Sequence, residues 1–212
     1  MVNLCDINTI DISNLEYHEP VNGKMGGQYV KITYNGSKVI LQTPKCYLPF
    51  GVNKYEGAYG NTYSIDLSLS SKTQNMETFE KFIEDLDEQN IKNACKNSNS
   101  WLSKSLDNDA INQIYKKQLK KSDQYPPILR VKIPTNSVGP LVTVFDIDKN
   151  IIPLENIPKQ CDITCVIELT GLYFRAKEFG VSWKVIQIMP FPRLNLNEYA
   201  FVGDDSESDD GI

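Results

Sequence analysis

The sequence predicts a mainly β fold of antiparallel strands, with a helical segment inserted and an acidic tail appended. Three observations carry that prediction. Short β-prone runs that alternate apolar and polar residues recur on both sides of the middle, among them Gln28 to Tyr34, Tyr63 to Ser70, Ile128 to Pro134 and Ile163 to Thr170. Between these stretches the period turns helical, with Met76, Phe79, Phe82, Ile83, Leu86, Ile91, Ala94 and Cys95 mainly on one face. The last nine residues hold Asp204, Asp205, Glu207, Asp209 and Asp210, a block of like charge that solvates instead of packing.

Taken in order, residues 1–27 read as an N-terminal extension, 28–203 as the domain and 204–212 as a disordered tail. The domain opens on Gln28 to Tyr34 and Ser37 to Gln42. These flank Asn35-Gly36, favoured in a type I′ hairpin turn because both central positions need positive φ. Thr43-Pro44 breaks the strand, and an aromatic loop with Tyr47, Phe50, Tyr55 and Tyr59 follows. It holds too few aliphatic residues for all its rings to be core. Tyr63 to Ser70 alternates throughout and reads as a half-buried strand.

Asn75 then caps a helix with Glu77 in its first turn, where a carboxylate suits the dipole. This helix should end near Asn97 and pack on the sheet. A second, weaker helix spans 108–121, so the insert covers about 75–122. Lys116, Lys117, Lys120 and Lys121 crowd its end, which suits the helix dipole and equally a phosphate contact. Ile128 to Pro134 and Leu141 to Asp146 read as an antiparallel pair, with Arg130 and Lys132 opposite Leu129, Val131 and Ile133.

The last unit, Asp162 to Phe191, is a long hairpin with Phe179-Gly180 closing its turn. Alternation puts Ile163, Cys165, Ile167, Leu169 and Tyr173 on one face, and Thr164, Val166, Glu168 and Thr170 on the other. Where the arms meet, Tyr173, Phe174, Arg175, Lys177, Phe179, Trp183 and Lys184 mix flat rings with positive charge. Such a surface suits stacked bases and a phosphate chain, though a hairpin core with a solvated rim has the same composition.

Composition excludes several classes. Hydrophobic content of 41% and charged content of 23% are those of an ordinary globular chain able to bury a core. No apolar run reaches the roughly 20 residues of a membrane helix and no signal-peptide pattern opens the chain, so an intracellular, non-membrane protein is expected. Cys5, Cys46, Cys95, Cys161 and Cys165 are an odd, scattered set and read as reduced thiols. With one histidine, His18, and no second pair at zinc spacing, neither a metal nor a cofactor is expected. No Gly-rich loop runs into Lys-Ser or Lys-Thr, which excludes a P-loop. The net charge of −5 belongs to the tail: with its five acids set aside, the remaining Asp and Glu equal the 22 Lys plus Arg. These features favour binding over catalysis.

The order of the blocks carries a resemblance. Leu48 to Val52, Tyr63 to Leu69, Asn99 to Trp101, Tyr125 to Pro134, Ile167 to Phe174, Phe179 to Val185 and the terminal Asp/Ser/Glu run follow one another over residues 28–212. This arrangement resembles the OB-fold single-stranded-DNA-binding proteins of T-seven-type short-tailed phages. It resembles more closely their relatives in nucleocytoplasmic large DNA viruses. The resemblance implies an OB-type antiparallel barrel and a non-enzymatic protein that coats single strands with little sequence preference in replication, recombination or repair. The tail would recruit replication proteins such as DNA polymerase and compete with DNA for the basic groove. The phage tails end in an aromatic residue, whereas this chain ends Gly211-Ile212.

Under this reading Tyr34, Tyr47, Phe50, Tyr55, Tyr59, Tyr173, Phe174 and Trp183 are the stacking candidates. Lys31, Lys38, Lys45, Lys54, Arg130, Lys132, Arg175, Lys177 and Lys184 are the phosphate candidates. Single-stranded DNA and replication proteins are the expected partners, a homodimer is allowed, and the place of action is the host nucleus or a cytoplasmic viral factory. Two rivals stand beside it: an acidic-tailed interaction factor that binds no DNA, and a nuclease using metal held by Asp146 and Asp148.

Overall fold

The computed structural model describes residues 4–23, 27–57 and 60–191. Seven strands precede the helices: β1 (Leu15–Tyr17), β2 (Val21–Asn22), β3 (Gln28–Tyr34), β4 (Val39–Gln42), β5 (Cys46–Leu48), β6 (Val52–Gly57) and β7 (Gly60–Ser68). Helices α1 (Gln74–Lys96), α2 (Ser98–Leu102) and α3 (Asn108–Ile114) lead into the short strands β8 (Tyr115–Lys116) and β9 (Leu119–Lys120). Next come β10 (Ile128–Ile133), β11 (Thr143–Phe145), β12 (Ile151–Ile152), β13 (Cys161–Phe174) and β14 (Phe179–Phe191).

The sheet closes on itself. β13 pairs with β5, β5 with β7, β7 with β10, β10 with β14, and β14 returns to β13. All of these pairings are antiparallel except β10 with β14, which touch in parallel at Lys132 and Lys184. This is an OB-type barrel with its helices inserted between the strands β7 and β10.

β13 is the spine. The chain from β3 to β5 runs antiparallel along its whole length, β3 against Gly171 to Phe174, β4 against Val166 to Leu169 and β5 against Cys161 to Ile163. The Asn35-Gly36 turn forms as predicted, with φ of 49° and 68°, and Tyr34 and Ser37 exchange both backbone hydrogen bonds. Its two arms do not make a long hairpin ladder. Ile32 to Tyr34 leave the spine to pair with β1, and β4 rejoins it after the turn.

A glycine decides what β13 buries. Its register against β14 shifts between Val166 and Ile167 and again between Leu169 and Gly171. Gly171 has φ of +153°, and a Cβ there would lie 2.1 Å from the Val30 carbonyl oxygen, so no other residue fits. A one-residue slip swaps the faces. Beyond it Leu172 and Phe174 point into the core, 0% and 5% exposed, and Tyr173 points out. The strict alternation expected for this arm, which keeps Tyr173 with Leu169, is therefore corrected.

Helix α1 is capped by Thr73, whose hydroxyl accepts from the Met76 amide, and not by the expected Asn75. Met76, Phe79, Ile83 and Leu86 are fully buried, each contributing roughly 1.5–3 kcal/mol, well above what intrinsic helix propensity supplies. The expected second helix stops at Ile114. Tyr115 to Lys120 instead form an extended strap, β8 lying parallel to β14 and β9 antiparallel to β10. The strap is extended because Tyr115 and Leu119 both need burial while bridging two strands that touch at one register. β11 also departs from expectation. It pairs with β14 and β12 and not with β10.

Candidate nucleic-acid interface

The strap creates the site. Where β10 and β14 splay apart, Trp183 fills the gap from below and its indole N–H donates to the Gln118 side-chain oxygen. Gln118 is fixed in turn by Asp87 of α1, which accepts from its backbone amide at 3.2 Å and its side-chain amide at 2.7 Å. Tyr115 donates to the same carboxylate at 2.5 Å, and Asn90 donates to Tyr115 at 3.2 Å. Burial pushes the Asp87 carboxyl up from its ordinary range, opposed by these donors. A buried network of this kind is costly unless every member is satisfied, so it fixes the strap firmly against the barrel.

Above this base lies a cleft of about 190 Å³ lined by Lys116, Lys117, Arg130, Lys132, Tyr173 and Arg175 among others. The Tyr173 ring lies over Gly180, where a Cβ would come within 3.1 Å of its hydroxyl oxygen. Lys132 and Arg175 flank the ring, their charged groups 5.4 and 5.1 Å from its centre. Partial burial, then repulsion from Arg175 and Lys116, lowers the Lys132 pKa from the ordinary lysine value. Among the described residues neither Lys132, Lys116 nor Lys117 makes an ion pair. A half-buried ring beside the unpaired Lys132, Lys116 and Lys117 offers a stacking surface beside an anion site.

The fold and this cleft invite comparison with known proteins. Residues 64–203 match the model of a family described as Family of unknown function (DUF5871). The chain belongs to this family. It is 27% identical over 193 residues to an uncharacterized protein (L291) of Acanthamoeba polyphaga mimivirus, covering 85% of this chain. The chain spans 31% of that relative's length. Among solved structures it is similar to gp2.5, a single-stranded DNA binding protein encoded by bacteriophage T7. The TM-score is 0.52 at 12% identity, over 83% of this chain and 98% of that one. The single-stranded DNA-binding protein of bacteriophage Enc34 in complex with ssDNA aligns at a TM-score of 0.47 and 15% identity, over 83% and 96% of the two chains. At these identities the likeness to gp2.5 establishes the fold.

The structure gathers some predicted residues and scatters others. Tyr173, Lys132, Arg175 and Arg130 share the cleft. Lys184 and Lys38 line a separate cleft, both held by the buried Glu168 at 3.1 and 3.5 Å. Arg130 is clamped by Asp66 through two hydrogen bonds of 2.7 and 2.9 Å, so its charge is largely cancelled. Arg175 also meets Glu178 at 3.5 Å. Lys177 is exposed on the turn between β13 and β14. That turn is Arg175 to Glu178, and Phe179-Gly180 already belongs to β14.

Phe174 and Trp183 are corrected as stacking candidates. At 5% and 3% exposure they are core, Phe174 stacked on Phe179 at 5.1 Å and Trp183 held by Gln118. Phe50 and Tyr55 are exposed, 55% and 71%, in the loop and hairpin joining β5 to β7. Lys54 beside them pairs with Glu56 at 2.6 Å. Tyr47 is half-buried on β5, and Lys45 sits 4.1 Å over the Phe191 ring. Lys31 is exposed on β3, and Tyr34 is half-buried near the β1 end of that strand, away from the cleft. Tyr59 and the acidic tail lie outside the described residues.

The predicted set omits Lys116, Lys117 and Gln118. Their signal was the Lys-rich run that resembles a helix end. Of the two acids of the nuclease rival, Asp146 has a structural role. Asp146 caps its own turn, accepting from the amides of Asp148 and Asn150 at 2.9 and 2.8 Å. The Thr33 hydroxyl donates to Glu16 at 2.6 Å and accepts from His18 at 2.7 Å. All five thiols are free, and burial pushes Cys46 up to about 12. No described helix is long and apolar enough to cross a membrane.

Proposed function

We propose that the chain binds single-stranded DNA without catalysis and with little sequence preference. The observation that carries this reading is the Tyr173 ring set between Lys132, Lys116 and Arg175. The cleft lies on the third barrel strand, β10, and beside the turn between the last two, a position where OB folds take oligonucleotides. The exposed Phe50 and Tyr55 belong to the loop between the first two barrel strands, the other element such folds use. The barrel shared with gp2.5, itself a single-stranded DNA binding protein, supports the same reading. On this proposal the protein serves viral DNA replication, recombination or repair in the host nucleus or a viral factory. Its acidic tail recruits replication proteins and competes with DNA for the cleft.

The test is a polarisation titration of labelled oligo-dT against a duplex of equal length. Full-length chain and a 1–203 truncation are compared at two salt concentrations. Selective binding of the single strand is expected, with a log–log salt slope of about −2 to −3 if three or four phosphates are neutralised. The truncation should bind as well or better. Absence of single-strand binding by both chains at low salt would sink the proposal and leave the acidic-tailed interaction factor.

A further inference from the structure

A second cleft, of about 660 Å³, opens on the other side of the Arg175–Glu178 turn, within the size range of small-ligand sites. One wall is that turn and the other is the loop from α2 to α3, which carries Lys104. Its floor is apolar. Trp101 and Phe174 meet edge to face at 5.9 Å and expose only 4% and 5% of their surface. The rim is cationic, with Lys104, Arg175 and Lys177, and Glu178 engages only Arg175 among them.

Gln28 also lines this cleft, and its Oε1 is buried without a donor. Among the described residues it is the buried side-chain oxygen or nitrogen left unpaired. Folded chains seldom keep such a group without a reason. The terminal amide torsion of glutamine is broad, so the oxygen can swing into the cleft and accept from a ligand. What fits is flat and uncharged, has an N–H beside an acceptor, and is joined to a phosphate. Those are the properties of a nucleobase in a strand.

We infer that this cleft takes one base of a bound single strand, its edge read by the Gln28 amide and its phosphate held by Lys104 and Lys177. The inference rests on the proposed function and extends it. Arg175 lines both clefts, so a strand stacked on Tyr173 is led over the turn into the second.

The test uses full-length protein with oligo-dT and an oligomer of equal length made wholly of abasic tetrahydrofuran units. Gln28→Leu should weaken oligo-dT about two- to tenfold, the range of a net hydrogen bond, and leave the abasic oligomer unchanged. Lys104→Ala should weaken both oligomers and lower the salt slope by about one phosphate. If Gln28→Leu binds oligo-dT like the wild type, or weakens both oligomers equally, the base pocket is refuted while single-strand binding itself stands. Should Gln28→Leu not fold, the exposed Lys104 decides: wild-type affinity in Lys104→Ala also refutes it. Failure of the wild type to bind oligo-dT overturns the inference together with the function it rests on.

Discussion

Two sets of cations share the outer face of the barrel and differ in what holds them. Lys38, Lys184 and Arg130 are each bound to a buried carboxylate, Glu168 for the lysines and Asp66 for the arginine. Lys132 has the Tyr173 ring and the cations Arg175 and Lys116 as its neighbours, and neither it nor Lys116 makes an ion pair among the described residues. Lys132 and Lys184 are register partners, yet only Lys184 reaches Glu168. A count of basic residues therefore overstates the charge available to a ligand. Cations already paired gain little from a phosphate, because the internal partner must first be displaced. Unpaired cations gain most.

Charge reversal in the unpaired set should break the contrast outright. Lys132→Glu places a carboxylate between Arg175 and Lys116, which it would pair with, removing three positive contributions at once. Single-strand affinity at low salt is expected to fall by at least about tenfold to a hundredfold, with a shallower salt slope. The same reversal at Lys38, exposed and already neutralised, should change affinity by no more than about threefold. Equal losses at the two sites would dissolve the distinction.

This distinction was invisible in the sequence for a physical reason. Alternation told which side chains of β7 and β10 face outward, and Arg130 and Lys132 do. It could not tell that register sets Arg130 against Asp66 and Lys132 against Ser64. The strands and α1 were legible because burial imposes a period. The face of Tyr173 and Phe174 was not, because one bulge at Gly171 inverts it, although a glycine inside a β-prone run is the usual sign of one. The strap was misread because Lys116 and Lys117 suit a helix terminus as well as a cleft, and only the tertiary anchor on Asp87 selects the extended form.

Freeing the paired set should sharpen the contrast from the other side. Glu168→Gln keeps the size of the side chain but removes the charge that holds both lysines. Single-strand affinity should rise about two- to fivefold at low salt, with a steeper salt slope as Lys38 and Lys184 become available. A polarisation titration alongside the wild type, with a melting curve to verify the fold, measures this. Unchanged affinity and slope would mean that the strand does not reach these lysines.

The smallest effect concerns protons. Phosphate binds the charged ammonium of Lys132, and in the free protein burial, Arg175 and Lys116 lower the pKa of that group. A bound phosphate favours the charged form again, so binding takes up a proton once the pH passes the lowered value. Affinity must then fall as pH rises, sooner than an ordinary surface lysine would require. Tyr173 does not confuse the reading, since burial and Glu178 raise its pKa, outweighing Arg175, and keep its phenol neutral longer. The wild type should lose affinity from about pH 8 to about pH 10. Lys132→Arg holds its charge throughout and should remove most of that decline, and identical pH profiles for the two proteins would show that the phosphate does not sit on Lys132.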